Sequence, residues 1–147
     1  VKAFKMGERE MNKYARDIKE IRAADPTKVL MTCHDEYLLA SLVQGLDGAL
    51  VGFAGFVPEL IVELVRTALA GDLAGAYAAQ ERVRPLAQIV YRFGEPSSDA
   101  HQRMKCAMWL LGRFPSMTMR RPLPPLSEEE VTRIRGELVA AGYTPVR

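Results

Sequence analysis

Cysteine is scarce in this chain: Cys33 and Cys106 are the only two. One disulfide is arithmetically open to them, but their number and spacing build neither a disulfide framework nor a zinc site, and a reducing cytoplasm is the simplest reading. An excess of one charge is also missing, since 20 Lys and Arg stand against 18 Asp and Glu. A chain so balanced gives no electrostatic reason to expect nucleic acid or an anionic membrane as a partner. Long apolar runs are missing as well. The longest, around Gly48 to Val57, is broken by glycines and is far too short to span a bilayer. What remains is 48% hydrophobic and 26% charged, the make-up of a globular domain with a core.

The apolar pattern alternates between two periods. Val1 to Lys5 reads as a strand, with Val1, Ala3 and Lys5 on one face and Lys2 and Phe4 on the other. The chain thus opens inside a strand with no initiator Met, and the expectation is that sequence is missing upstream. Glu8 to Ala24 has a helical stripe of Met11, Tyr14, Ile18 and Ile21, ended by Asp25-Pro26. Val29-Leu30-Met31 reads as a buried strand, Glu36 to Gln44 as a helix closed by Gly45, and Gly48 to Phe53 as a third strand. Pro58 opens the next helix, which Gly71 closes. Strand and helix therefore alternate three times, which implies βαβ units and a parallel sheet.

From Asp72 the pattern is helical. Asp72 caps a long helix reaching about Phe93, with Pro85 expected to kink or divide it. A loop is expected over Gly94 to Ser98, a helix over Asp99 to Arg113, and an extended proline-rich stretch over Pro115 to Leu126. Ser127 with Glu130 opens a last helix as a capping box, and Gly142 ends it. Three strands cannot close a barrel, and a complete (β/α)8 barrel takes roughly 250 residues. The fold class expected is α/β: the last three strands of a TIM barrel over residues 1–71, then a C-terminal helical region over 72–147.

Lys5 is the sharpest candidate for chemistry. It is expected to point inward at the C-terminal end of a parallel strand, where barrel active sites lie. Apolar surroundings there would disfavour its ammonium form, and a neutral amine can attack a ketone to form an imine. The bland alternative is a solvated lysine at a strand end. Asp35 and Glu36 stand in the second strand–helix loop and can either bind substrate hydroxyls or cap the following helix. His34 can be a general acid or base, a metal ligand with Cys33 and Asp35, or a loop histidine without chemistry. Cys33 has no histidine–acid partnership that would make it a nucleophile. Trp109 and Met108 read as packing or interface residues, and Arg120-Arg121 as a surface pair.

Seven segments, in order, resemble the family of Schiff-base-forming pyruvate lyases that includes dihydrodipicolinate synthase and N-acetylneuraminate lyase. Val1-Lys2-Ala3-Phe4-Lys5 is similar to the strand ending in that family's imine lysine. Val29 to Glu36 resembles the next strand with its Gly-x-Asp-Glu turn, and Gly45 to Gly52 resembles the last barrel strand. Pro58-Glu59-Leu60, Gly71 to Ala76 with Arg84-Pro85-Leu86, Lys105 to Gly112, and Arg121 to Ser127 resemble the helices and the arginine-proline-leucine run that follow. The resemblance implies that Lys5 is the imine lysine and that the backbone at Leu50 and Gly52 lines the pyruvate site. It further implies that Asp35 and Glu36 contact the remainder of a keto-acid substrate. It implies a homo-oligomer, usually a tetramer, and calls for no cofactor and no metal.

Departures from the family pattern bear on the substrate. Cys33 and His34 replace a glycine and a variable residue, and Val51-Gly52 lacks a serine that many members carry. Met6-Gly7-Glu8-Arg9 replaces the usual turn after the lysine, and Ser97 to His101 widens a gap. The family's catalytic tyrosine and its carboxylate-binding hydroxyl pair belong to the N-terminal half of the barrel and are not found here. The 147 residues by themselves are therefore expected to be inactive. A non-catalytic α/β interaction domain is the alternative. A helix-turn-helix regulator fits poorly, because no basic recognition helix is present.

Overall fold

The computed structural model describes residues 1–91 and 98–147. Three strands, β1 (Ala3–Met6), β2 (Val29–Thr32) and β3 (Gly48–Ala49), form one parallel sheet in the order β1-β2-β3. Lys5 lies opposite Met31, and Met31 opposite Gly48. Helix α1 (Met11–Ala24) leads from β1 to β2, and α2 (Leu38–Leu42) from β2 to β3. A 3-10 turn (Gly52–Gly55) and α3 (Pro58–Leu69) follow, then α4 (Leu73–Tyr91), α5 (Ser98–Leu110) and α6 (Glu128–Ala140). The alternation of periods 2 and 3.6 thus produced the parallel α/β arrangement that the sequence implied.

All the helices adjoining the sheet cover one of its faces. Met6, Leu30 and Thr32 point into that side and are buried. They meet the apolar stripe of α1, where Tyr14 and Ile18 are buried, and Leu38 and Leu42 of α2. The core continues through Phe53, Phe56, Leu60 and Leu64 to Val83, Leu86 and Val90 of α4, and on to Leu110, Ile134 and Leu138. Each such side chain contributes about 1.5–3 kcal/mol on removal from water. Helix α3 packs along α4, and α4 along α5, so the helical region is continuous with the core beneath the sheet.

The lower rim of the sheet is tied by an unforeseen pair. One oxygen of Asp47 accepts from the Leu30 amide at 2.7 Å and from Arg22 at 2.6 Å. Arg22 also donates to the carbonyls of Lys28 and Gly45. Burial works against ionisation of Asp47, but the Leu30 amide and the Arg22 guanidinium outweigh it and hold the carboxyl below its usual range.

Several local expectations need correction. Strand β3 is two residues long rather than reaching Phe53, because the Phe53 amide bonds to a side chain instead of a neighbouring strand. Helix α2 starts at Leu38, not Glu36, and its N-cap residue, Tyr37, makes no side-chain capping bond. Neither is it capped by Asp35, whose oxygens are engaged elsewhere. Gln80 of α4 does that work, donating to the Glu36 carbonyl at 3.0 Å and accepting from the Leu39 amide at 2.9 Å.

Helix α4 is not divided at Pro85. The proline is exposed, so the carbonyl it deprives of a partner one turn back is on the side of the helix that water reaches. Asp72 and Ser127 do cap their helices, through the amides of Gly75 and Glu130. Gly45 and Gly71 end theirs with φ of 96° and 78°, a region costly for any residue with a Cβ. The loop expected from Gly94 lies, up to Ser97, outside the described residues.

Candidate active site

The uncovered face of the sheet carries Ala3, Lys5, Val29 and Met31. Lys5 is the next-to-last residue of β1, with its side chain on this face, while Lys2 has the opposite parity and lies three residues, roughly 10 Å, lower. Lys5 is exposed, not walled in by apolar side chains as the sequence suggested, because nothing among the described residues covers this face. Leu50 is one residue beyond β3 at the same C-terminal end and is 55% exposed. Its amide continues the ladder to the Thr32 carbonyl at 2.9 Å. Gly52 follows, also exposed, with Met104 of α5 against it: a Cβ there would come within 2.8 Å of the methionine Cε. Lys5, Leu50 and Gly52 therefore share the C-terminal rim of one sheet.

Asp35 and Glu36 leave the same rim after β2. Glu36 is half-buried, and its carbonyl is the one taken by Gln80. Asp35 is only 6% exposed. Its Oδ1 accepts from the Phe53 amide at 2.7 Å and its Oδ2 from the Tyr91 hydroxyl. Burial raises the Asp35 carboxyl, against the lowering pull of Tyr91, the Phe53 amide and the charge of Lys5. Tyr91 is raised in turn by burial and by Asp35, so its phenol stays protonated and donates. Its ring stacks on Phe53 with centroids 5.5 Å apart and 17° between planes. Tyr91 has no signal in the sequence as anything but the end of a helix, because its partner is 56 residues away.

His34 turns away from this rim toward the covered side. Its Nδ1 is 3.2 Å from the Ser41 hydroxyl and its ring is 5.1 Å from that of Tyr14. Burial is the chief cause lowering its pKa, which favours the neutral imidazole. With His34 on Ser41 and Asp35 on Tyr91, the adjacent Cys33, His34 and Asp35 do not converge; among the described residues no three such side chains form a metal-binding group. Both cysteines are free, and burial pushes the Cys106 thiol up to about 11, the opposite of activation. Trp109 is a packing residue, with the Arg147 guanidinium 5.9 Å from its ring. Among the described residues no helix is long and apolar enough to cross a membrane.

A family model, that of the dihydrodipicolinate synthetase family, matches residues 1–141. The chain belongs to that family. A 4-hydroxy-tetrahydrodipicolinate synthase of Neisseria meningitidis serogroup B is 32% identical over 126 residues, which cover 86% of this chain and 41% of that enzyme. A probable 2-dehydro-3-deoxy-D-pentonate aldolase of Escherichia coli K12 is 29% identical over 88% of this chain and 42% of its own length. Among solved structures, the E. coli K12 prophage protein YagE of the dihydrodipicolinic acid synthase family, in complex with pyruvate, superposes with a TM-score of 0.85. At 22% identity it bears on the fold alone; it is covered over 97% of this chain and 47% of that one. The chain therefore spans a little under half the length of these relatives. The α/β fold is similar to the corresponding part of the family's barrel proteins, and the two curated relatives named above are a synthase and a probable aldolase.

Proposed function

We propose that this chain is the C-terminal part of a class I, pyruvate-dependent aldolase or lyase, with Lys5 as the residue that forms the imine. Residues 1–71 supply the last three β/α units of the barrel and residues 72–147 the helical region packed below. The observation that carries the reading is the position of Lys5 at the C-terminal end of a parallel strand, on the same rim as Leu50 and Gly52. In the reaction the Lys5 amine attacks the ketone carbon of pyruvate or a 2-keto-3-deoxy acid, and water leaves. The resulting protonated imine draws electrons from the neighbouring carbon, so that a carbon–carbon bond can form or break there. The main-chain carbonyl at Leu50 and the backbone at Gly52 meet the pyruvate portion, and the Asp35–Glu36 loop borders the rest of the substrate.

The exposed lysine and the bare sheet face also support the proposal that these 147 residues alone do not catalyse. The missing wall, with its proton-shuttling tyrosine and hydroxyl pair, would come from the first half of a barrel. Pairing with that half would also occupy the free edge of β1. A tetramer is the assembly proposed by family likeness, and a cytoplasmic location is proposed from the scarcity of cysteine.

The test is to incubate the protein, with the first half of its barrel supplied, with pyruvate and borohydride. Hydride adds to the imine carbon and fixes the substrate as a secondary amine whose mass can be mapped. The adduct is expected on Lys5 and is expected to vanish in Lys5→Arg, because a guanidinium stays protonated and is no nucleophile. An adduct on another lysine with Lys5 unmodified overturns the assignment of Lys5, and no adduct while a known family member labels in parallel overturns the reading in favour of a non-catalytic interaction domain.

A further inference from the structure

The segment from Leu50 to Phe53 is held at both ends. At one end the Leu50 amide completes the ladder to Thr32 at 2.9 Å. At the other the Phe53 amide has left the sheet and donates to Asp35 Oδ1 at 2.7 Å. Only Val51 and Gly52 lie between these two bonds, and Val51 is buried. The orientation of the Leu50 carbonyl is thus set by a two-residue span whose far anchor is a side chain, and that side chain has an anchor of its own. Tyr91 of α4 donates to Asp35 Oδ2, and the same tyrosine lays its ring on Phe53. Tyr91, Asp35 and Phe53 hold one another in a closed triangle.

A carboxyl group as buried as Asp35 is costly unless its oxygens meet hydrogen-bond partners, and both of its oxygens meet one here. Its oxygens are directed at the turn and at the appended helix. An aspartate whose main task was to meet substrate hydroxyls would need an oxygen turned toward the rim.

We propose that Tyr91 and Asp35 are positioning residues: the tyrosine of α4 fixes the carboxylate, and the carboxylate fixes the turn whose backbone meets the pyruvate portion of the substrate. The helical region thereby sets the geometry of the site without touching the substrate. The part of this concerning pyruvate rests on the function proposed above; the hold on the turn does not.

The experiment compares wild type, Tyr91→Phe, Asp35→Asn and the double variant in the intact polypeptide. Tyr91→Phe keeps the ring and its stacking, so the fold survives. Two quantities are read: hydrogen exchange of the Phe53 amide, and the pyruvate concentration that half-saturates borohydride trapping at Lys5. Tyr91→Phe is expected to lose Phe53 protection and to raise the half-saturating pyruvate about tenfold; Asp35→Asn, which keeps an oxygen for the Phe53 amide, is expected to do so to a smaller degree, and the double variant to add nothing to Tyr91→Phe. In Tyr91→Phe the amount trapped at saturating pyruvate stays unchanged, a split that general destabilisation would not give.

Unchanged exchange and unchanged half-saturation in Tyr91→Phe overturn the proposal. So does an effect confined to Asp35→Asn, which would mark direct contact between carboxylate and substrate. A wild-type protein that traps no pyruvate removes the aldolase reading. Loss of Phe53 protection in Tyr91→Phe would then still uphold the hold on the turn, and its retention would overturn it.

Discussion

The two faces of the sheet differ in exposure. On one face Met6, Leu30 and Thr32 are sealed beneath helices; on the other Ala3, Lys5 and Val29 meet water. The strands are nevertheless apolar on both faces. Strand β2 reads Val29-Leu30-Met31-Thr32, with Val29 and Met31 on the bare side. A strand written this way is typical of parallel sheets buried on both sides. The bare face therefore differs from the covered one in what lies against it, not in the kind of residue it carries, apart from Lys5.

That contrast can be broken by substitution. Leu30→Ala, on the covered face, is expected to cost about 2–4 kcal/mol in urea unfolding, from lost burial and the cavity left behind. Val29→Ala, one residue away and 41% exposed on the bare face, is expected to cost under about 0.5 kcal/mol in the same 147-residue chain. Equal costs would mean that copies of the chain cover the bare face in solution, and sedimentation would show it. Asp47→Ala should fall between the two, at about 1–2 kcal/mol, because it strips the Leu30 amide and Arg22 of a shared acceptor. Asp47→Asn, which keeps an oxygen, should recover part of that loss.

The smallest effect concerns charge on the covered face. His34 is wedged between Tyr14 and Ser41, where burial lowers its pKa below 6.5. A depressed pKa means that the unfolded chain binds the proton more readily than the folded one. The stability this represents is complete above about pH 6.5 and drains away as pH falls toward the lowered value. Wild type should lose more stability than His34→Gln between pH 7.5 and 5.5. Parallel losses in urea midpoint would show that the imidazole is as free to charge as a solvated one.

What the sequence made legible was whatever depends on near neighbours. The strands, the helical stripe of Tyr14, Ile18 and Ile21, and the caps at Asp72 and Ser127 lie within a few residues of their causes, whereas Met11, expected on that stripe, is exposed. The position of Lys5 near a strand end was legible for the same reason, since a strand end and a following turn are local features. The end of β3 was not legible, because it is decided by Asp35, 18 residues upstream of Phe53. The start of α2 was misjudged because its cap comes from Gln80, 41 residues beyond Leu39. Pro85 misled because its effect depends on which side of the helix faces water. Asp35 was noticed as a carboxylate that binds substrate or caps the next helix; it does not cap α2, and nothing nearby in the sequence announces its partner Tyr91.

Gln80 also bears on the order in which the molecule comes together. Helix α2 has five residues, too few to persist alone, and lacks a side-chain cap of its own. Its first turn is completed by an amide on α4, a helix that lies outside the strand–helix repeat. The second repeat can therefore not finish folding before the helix that follows all three has docked. For a ribosome releasing this chain from its N-terminus, the corner between β2 and β3 would stay unset until well past Gln80 has emerged. An evolutionary trimming of the appended helices would dissolve that corner rather than merely shorten the protein.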